Sequence, residues 1–363
     1  MARGTAPASS STASSALQGR WVRWAGALLL VVVLVVMPLV LSEFANQTIA
    51  RIGVFAVAVL GLNVVMGYTG QVSLGQIFFL GLGAYITAYG VTNGWNMVLV
   101  FALACVIPAV AGLLVALAAA RLGGLAIAMV TVALPIVGVP VAKRLSGLTG
   151  GSEGLSTSFA AAPSGSGLYD DQWQLYIVLV IGGIVFLLTR SLVRGKYGRA
   201  FAIVKGNEAV ASSMGISPYR YKVLAFTIAS LIGGVSGFLY MLVIQYTSPE
   251  TMSFGHSINL VAAMVIGGSA SIAGSILGGL YYVLVPQLTN AVDPSLTALL
   301  QGVILLDVLF LLPGGLVSLP RALTRGRRTR SGRGPAAPPT TPSTTTGSGT
   351  AAEEPETERQ GHA

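Results

Sequence analysis

The sequence predicts an all-α polytopic membrane protein of about ten transmembrane helices. Of its 363 residues, 53% are hydrophobic and only 9% charged, where a soluble domain carries roughly 25% charge. Apolar runs of about 20 residues recur, the length a helix needs to cross ~30 Å of hydrocarbon. The remaining charges gather at the chain ends and in a few loops, and the net charge of +9 comes mostly from arginines flanking apolar runs. No aromatic–basic interleaving marks a nucleic-acid partner, so these charges are assigned to a membrane lipid boundary. Cys105 is the single cysteine, and His256 and His362 stand far apart, so neither a disulfide nor a metal site is expected. Without a P-loop, a nucleophile elbow or an H-E-x-x-H motif, the chain offers no catalytic centre and no cofactor site.

In chain order, residues 1–20 are rich in Ser, Ala and Thr and read as a disordered cytoplasmic tail. Arg20 and Arg23 precede Ala25–Leu41, which is read as span one with its N-terminus inside, because no A-x-A cleavage site follows it. Span two covers Ile49–Met66, with Arg51 near its outer end, where a long side chain can snorkel to the interface. Spans three to six follow as Leu74–Val91, Met97–Ala120, Leu122–Ala142 and Trp173–Thr189. Arg121 marks a cytoplasmic turn, and Ser152, Glu153, Asp170 and Asp171 an outer loop. Span seven is Val223–Tyr246, returning to the outside near Glu250. The apolar stretch Ile258–Leu288 is broken by GGSAS at Gly267–Ser271, which admits two short spans or a re-entrant segment plus one span. With two spans there and a last one over Thr297–Leu316, the cluster Arg321, Arg325, Arg327, Arg328, Arg330 and Arg333 falls inside, as the charge bias requires. Residues 21–320 thus form the transmembrane domain, and 321–363 a Pro/Thr/Gly-rich cytoplasmic tail.

The loop at 190–222 is a basic island between apolar runs, with Arg190, Arg194, Lys196, Arg199, Lys205, Arg220 and Lys222 against Glu208 alone. Inside it lies a two-turn helix signal. Asn207 can cap, Glu208 suits the positive helix end, Gly215 can take the left-handed stop, and Pro218 forbids continuation. Ile203, Val210 and Met214 form one apolar face if that helix extends back a turn. So short a helix is unstable alone in water, and either docks against something or is an ordinary surface helix.

Chemistry within the membrane concentrates in Gly61–Tyr85, where repeated glycines are interleaved with Asn63, Tyr68, Gln71, Ser73 and Gln76. Irregular backbone at membrane depth is tolerated where it is buried in protein or lines a cavity, and broken helices supply hydrogen bonds in transport sites. The competing reading is a tight uncharged turn. Asp307 is the one acid well inside a predicted span, which gives an ion-coupled carrier its only support. Small residues at every fourth position recur at Ala225, Ala229, Gly233 and Gly237, and at Ala270, Gly274 and Gly278. Together with Gly267 and Gly268 they mark close helix packing within one subunit.

Several motifs then become specific. GLNVVMGYTGQVSLG at Gly61–Gly75, GAY at Gly83–Tyr85, TGGSEGL at Thr149–Leu155, YGRA at Tyr197–Ala200 and NEAVASSMGI at Asn207–Ile216 follow one another. Lys222, AF at Ala225–Phe226, SPE at Ser248–Glu250, VIGG at Val265–Gly268 and the Pro-x-Gly-Leu element Pro313–Leu316 continue the series. Over about residues 50–317 the chain resembles the branched-chain amino acid ABC permeases of the LivM type. The resemblance implies an ABC importer subunit in the cytoplasmic membrane, pairing with a second related permease, two cytosolic ATPase subunits and an extracytoplasmic solute-binding protein. It also implies that the island is a coupling loop, with Arg199, Lys205, Asn207, Glu208, Val210, Met214 and Gly215 serving the ATPase contact. The sequence departs from the family at Gln76 (usually His), at Lys205 (usually Arg), after Thr131, where VALPIVG brings no acid, and at Gly314. These departures bear on cargo, for which branched-chain amino acids lead and urea, an amide or another small polar solute is the alternative.

Overall fold

The computed structural model describes residues 36–119, 124–163, 165, 167–292, 296–311 and 315–318. Most of the expected first span, Arg20, Arg23, Arg121, Pro313, Gly314, the arginine cluster after 320 and both tails lie outside the described residues.

Helices carry nearly all of the described chain, because internal hydrogen bonding is the one local solution for a lone segment in hydrocarbon. They are α1 (Glu43–Leu62), α2 (Gln76–Thr92), α3 (Met97–Ala119), α4 (Gly124–Arg144), α5 (Asp170–Arg194) and α6 (Lys196–Gly206). After these come α7 (Glu208–Ser213), α8 (Pro218–Ile244), α9 (Phe254–Gly267), α10 (Ile272–Val292) and α11 (Thr297–Leu311). One short ladder interrupts the all-helical picture, with β1 (Leu155–Ser156) antiparallel to β2 (Tyr246–Thr247).

Among the described residues, six helices are long and apolar enough to cross a membrane: Glu43–Tyr68, Met97–Ala119, Ile127–Arg144, Asp170–Arg194, Pro218–Ile244 and Ile272–Ala291. α2 and α9 are apolar but shorter. The 14 residues of α9 rise only about 21 Å. The GGSAS interruption is a turn between antiparallel helices. Gly268 has φ +119°, Ala270 φ +57°, and a Cβ on Gly278 would lie 2.6 Å from the Ala263 carbonyl oxygen.

α8 is the central post. Seventeen of its residues, from Lys222 to Val243, are buried, and α2, α3 and α1 pack around it. Glycine makes this possible. A Cβ on Gly237 would strike the Leu80 carbonyl oxygen, and one on Gly83 would lie 2.5 Å from that of Gly234. Side chains at the positions that lack them would push these backbones apart.

Two expectations are corrected. Helix α1 begins at Glu43, not near Ile49, so Arg51 sits inside the helix rather than at its end, and its Nε is buried without a hydrogen-bond partner. The island helix does not extend back a turn. Asn207 is extended (φ −161°, ψ 120°), which places Ile203 on the separate helix α6.

Candidate functional site

The candidate functional region runs along α8, from the basic island at its Pro218 end to an aromatic cavity at its Ile244 end. With 27 residues, α8 separates the two by about 40 Å.

At the island end, Asn207 caps α7, its side chain accepting from Ala209 N at 2.9 Å and Val210 N at 3.2 Å. Gly215 takes the left-handed conformation (φ +77°), and Pro218 opens α8. The apolar side chains of Val210 and Met214 are 50% and 64% exposed, so α7 turns a greasy face outward. Two lysines tie this island to the bundle. Lys205 Nζ donates to the Gly67 carbonyl at 2.6 Å. Lys222 Nζ pairs with Glu208 at 2.5 Å, the lysine side chain being only 7% exposed. A buried ammonium needs such a partner, and Glu208 supplies it across the α7–α8 turn. Arg199 is exposed on α6.

Gly67 belongs to a break in the first described span. From Asn63 to Tyr68 the helix widens into a π-helix, a form that recurs at functional sites. Residues 70–75 then continue without helix before α2 starts at Gln76. Asn63 is buried and fully engaged, donating to Ser271 O at 2.8 Å and Ser275 Oγ at 3.1 Å and accepting from Ala270 N at 2.8 Å. It locks the π-helix onto the GGSAS turn. Gln76 Nε2 donates to the Ala229 carbonyl of α8 at 3.0 Å, while Gln71 Nε2 donates to Thr69 Oγ1 at 2.9 Å and approaches Lys222 O at 3.5 Å. Ser73 is buried beside them, and Tyr68 lies within reach of the Arg194 charge. The segment therefore brings Gln71 and Gln76 onto α8, whereas Asn63 faces the α9–α10 hairpin. Asp307 stands apart, exposed on α11.

Two cavities flank this segment. The island-side cavity, of about 240 Å³, is walled by Thr69–Val72, Val204, Lys205, Glu208 and Lys222. The other, about 270 Å³, reaches from Tyr246, Ser248, Glu250 and Thr251 down to Ile77 and Leu80. The chain passes from the wall of one to the wall of the other between Val72 and Ile77. The second cavity was missed in the sequence, since its residues come from α1, α2, α8, α9, α10 and a loop, and each reads alone as an ordinary span aromatic.

A family model described as branched-chain amino acid transport system / permease component matches residues 44–309. The chain belongs to this family. The permease is 28% identical over 320 residues to the high-affinity branched-chain amino acid transport system permease protein LivM of Salmonella typhimurium and to that of Escherichia coli K12, covering 80% of this chain and 74% of each relative. It is also similar, at 30% identity over 35% of its length and 36% of the relative, to the autoinducer 2 import system permease protein LsrC of Klebsiella pneumoniae. The ribose import permease protein RbsC of Escherichia coli K12 matches 28% of this chain and 33% of its own, at 27% identity. No solved structure matches. The chain is thus a multi-pass LivM-type permease, a transport subunit of the ABC class.

Proposed function

We propose that this permease is the transmembrane subunit of an ATP-driven importer for branched-chain or related amino acids. Its partners are a second related permease, two cytosolic ATPase subunits and an extracytoplasmic binding protein. It lies in the cytoplasmic membrane with the island and both termini in the cytosol, a reading supported by the basic residues of the island. Helix α7 docks on an ATPase through Val210 and Met214, with Arg199 beside it. Lys205 and the Glu208–Lys222 pair carry the movement to the broken segment, where Tyr68, Gln71, Ser73 and Gln76 line the route and Asn63 braces it.

The coupling role is supported by two lysine contacts: Lys222 of α8 holds Glu208 of the exposed apolar helix α7, and Lys205, near the end of α6 just before α7, holds Gly67 of the π-helical break. Cargo rests on the longest matches, to proteins named for branched-chain amino acids. The shorter ones, named for autoinducer 2 and ribose, make a sugar-type cargo the reading to exclude.

The test is co-expression with the ATPases and binding protein encoded beside the gene. Wild type is expected to take up leucine, and Met214→Asp and Gly215→Val to insert normally while losing ATPase co-purification and uptake. Retention of both activities in both variants would remove the docking role. Ribose uptake without leucine uptake would overturn the cargo.

A further inference from the structure

The cavity at the Ile244 end of α8 has the lining of a recognition site rather than a packing defect. Its inner part is apolar, with Phe55, Ile77 and Leu80. Its walls are aromatic: Tyr282 stacks on Phe55 with ring centroids 4.1 Å apart, and Tyr240 meets Phe55 edge-on at 6.2 Å. Its mouth is polar, with Ser248, Glu250 and Thr251. At about 270 Å³ it falls just below the roughly 300–1,000 Å³ that hold drug-sized ligands. That size suits a molecule of few heavy atoms.

Charge is arranged at two places. Glu250 lines the mouth, and its carboxylate is shared with Lys143 Nζ at 2.8 Å, with the two side chains 65% and 44% exposed. An ion pair so open to water is weak, so a second ammonium can compete for the carboxylate. The opposite charge stands behind the aromatic wall. Arg51 lies one turn before Phe55 on α1, and Tyr240 and Thr251, both bearing hydroxyls, line the cavity. Arg51 Nε is buried with no hydrogen-bond partner, an arrangement that costs stability unless something else requires it.

We propose that this cavity is a binding site for a free α-amino acid with an aliphatic side chain. The ammonium group sits at Glu250 against the tyrosine faces, the carboxylate at the hydroxyls of Tyr240 and Thr251 with Arg51 behind the Phe55 wall, and the side chain on Phe55, Ile77 and Leu80. An aromatic face attracts a cation, and a neutral sugar would bring no ammonium to compete for Glu250. The site recognises the amino acid head group, and choice among aliphatic side chains is left to the binding protein. The inference rests on the import reading, yet it can fail separately.

The test uses the full chain in nanodiscs with Cys105→Ser and His256→Cys as the common background of every arm; position 256 is on the cavity wall, and the change removes the 3.0 Å contact of His256 Nδ1 with the Tyr282 hydroxyl from all arms alike. Maleimide labelling at that position is timed with L-leucine, leucinamide, 4-methylpentanoate or ribose. Leucine is expected to slow labelling. Leucinamide, 4-methylpentanoate or the added change Glu250→Gln should each raise the concentration needed by about ten- to a hundredfold, the range for one charge-assisted contact. Arg51→Met repeats the test from the other side, and unaltered labelling without ligand reports that each variant is folded. Equal protection by leucine and both analogues, protection by ribose, or no protection would overturn the site. Leucine uptake by the assembled importer with no protection leaves the import reading standing. Absence of leucine uptake from that importer removes the import reading instead.

Discussion

At the Pro218 end of α8, Lys205, Lys222 and Glu208 hold the structure with a few strong contacts between charged groups and backbone. At the Ile244 end, Phe55, Tyr240, Tyr246 and Tyr282 line a cavity, and the Lys143–Glu250 ion pair is largely exposed. On the proposed reading, the first design transmits force. A 2.6 Å bond from an ammonium to a carbonyl is short and directional, so a displaced α6 must move Gly67 with it. The second design accommodates. Rings slide with little loss, and a cavity can admit a solute without breaking the fold. In the proposed importer, driven from one end and loaded from the other, the two ends would use this difference.

The comparison depends first on the two ends facing opposite sides of the membrane. Cysteines introduced singly as Ser156→Cys and Ser212→Cys, in a Cys105→Ser background, test it all-or-none. Both positions are exposed, one on the β1 ladder and one on α7. An impermeant maleimide is expected to reach position 156 in intact cells and position 212 only after permeabilisation. Labelling of both from outside would dissolve the contrast between a driven and a loaded end.

Much of the island end was legible, because its signals are local. Asn207, Gly215 and Pro218 each act on backbone within a few residues, and their chemistry places α7 whatever the rest of the chain does. The contacts that give α7 its reach were not legible. Lys205 and Gly67 are 138 residues apart, and Glu208 was read only as a complement to the helix dipole, not as the partner of Lys222. The π-helix at Asn63–Tyr68 was also hidden, since one wider turn barely alters an apolar pattern that is hydrophobic on every side. Arg51 was misread for a related reason. The polar residues of Glu43–Thr48 look like a loop, yet Glu43 stands at the positive helix end and Asn46 donates to Asp171 at 2.7 Å, so the helix starts earlier and carries Arg51 inward.

A sharper test of the driven end is Lys205→Met, which keeps the aliphatic stem beside Gly70 and removes the ammonium from Gly67. Loss of one hydrogen bond to a charged group costs ~1.5–3 kcal/mol. If the bond transmits coupling, leucine uptake should fall by about ten- to a hundredfold while the ATPases still co-purify, because Val210 and Met214 are untouched. Lys205→Arg should restore most of the uptake, since a guanidinium can reach the same carbonyl. Equal uptake by Lys205→Met and wild type would reduce the bond to packing.

The smallest effect is expected at the loaded end, from Lys143→Gln. Lys143 and Glu250 are both substantially exposed, and such pairs contribute ~0.2–1 kcal/mol, so thermal stability should hardly change. The change in affinity should have the opposite sign to that of every island variant. Without Lys143 the Glu250 carboxylate is no longer shared, and an arriving ammonium meets no competitor. Half-maximal uptake should then occur at a leucine concentration roughly two- to fivefold lower, the factor that corresponds to releasing a pair of that strength. 4-Methylpentanoate, which brings no ammonium, should gain nothing from the change. Weaker leucine uptake in Lys143→Gln would mean that the lysine itself holds the solute, and the charge assignment at the mouth would have to be reversed.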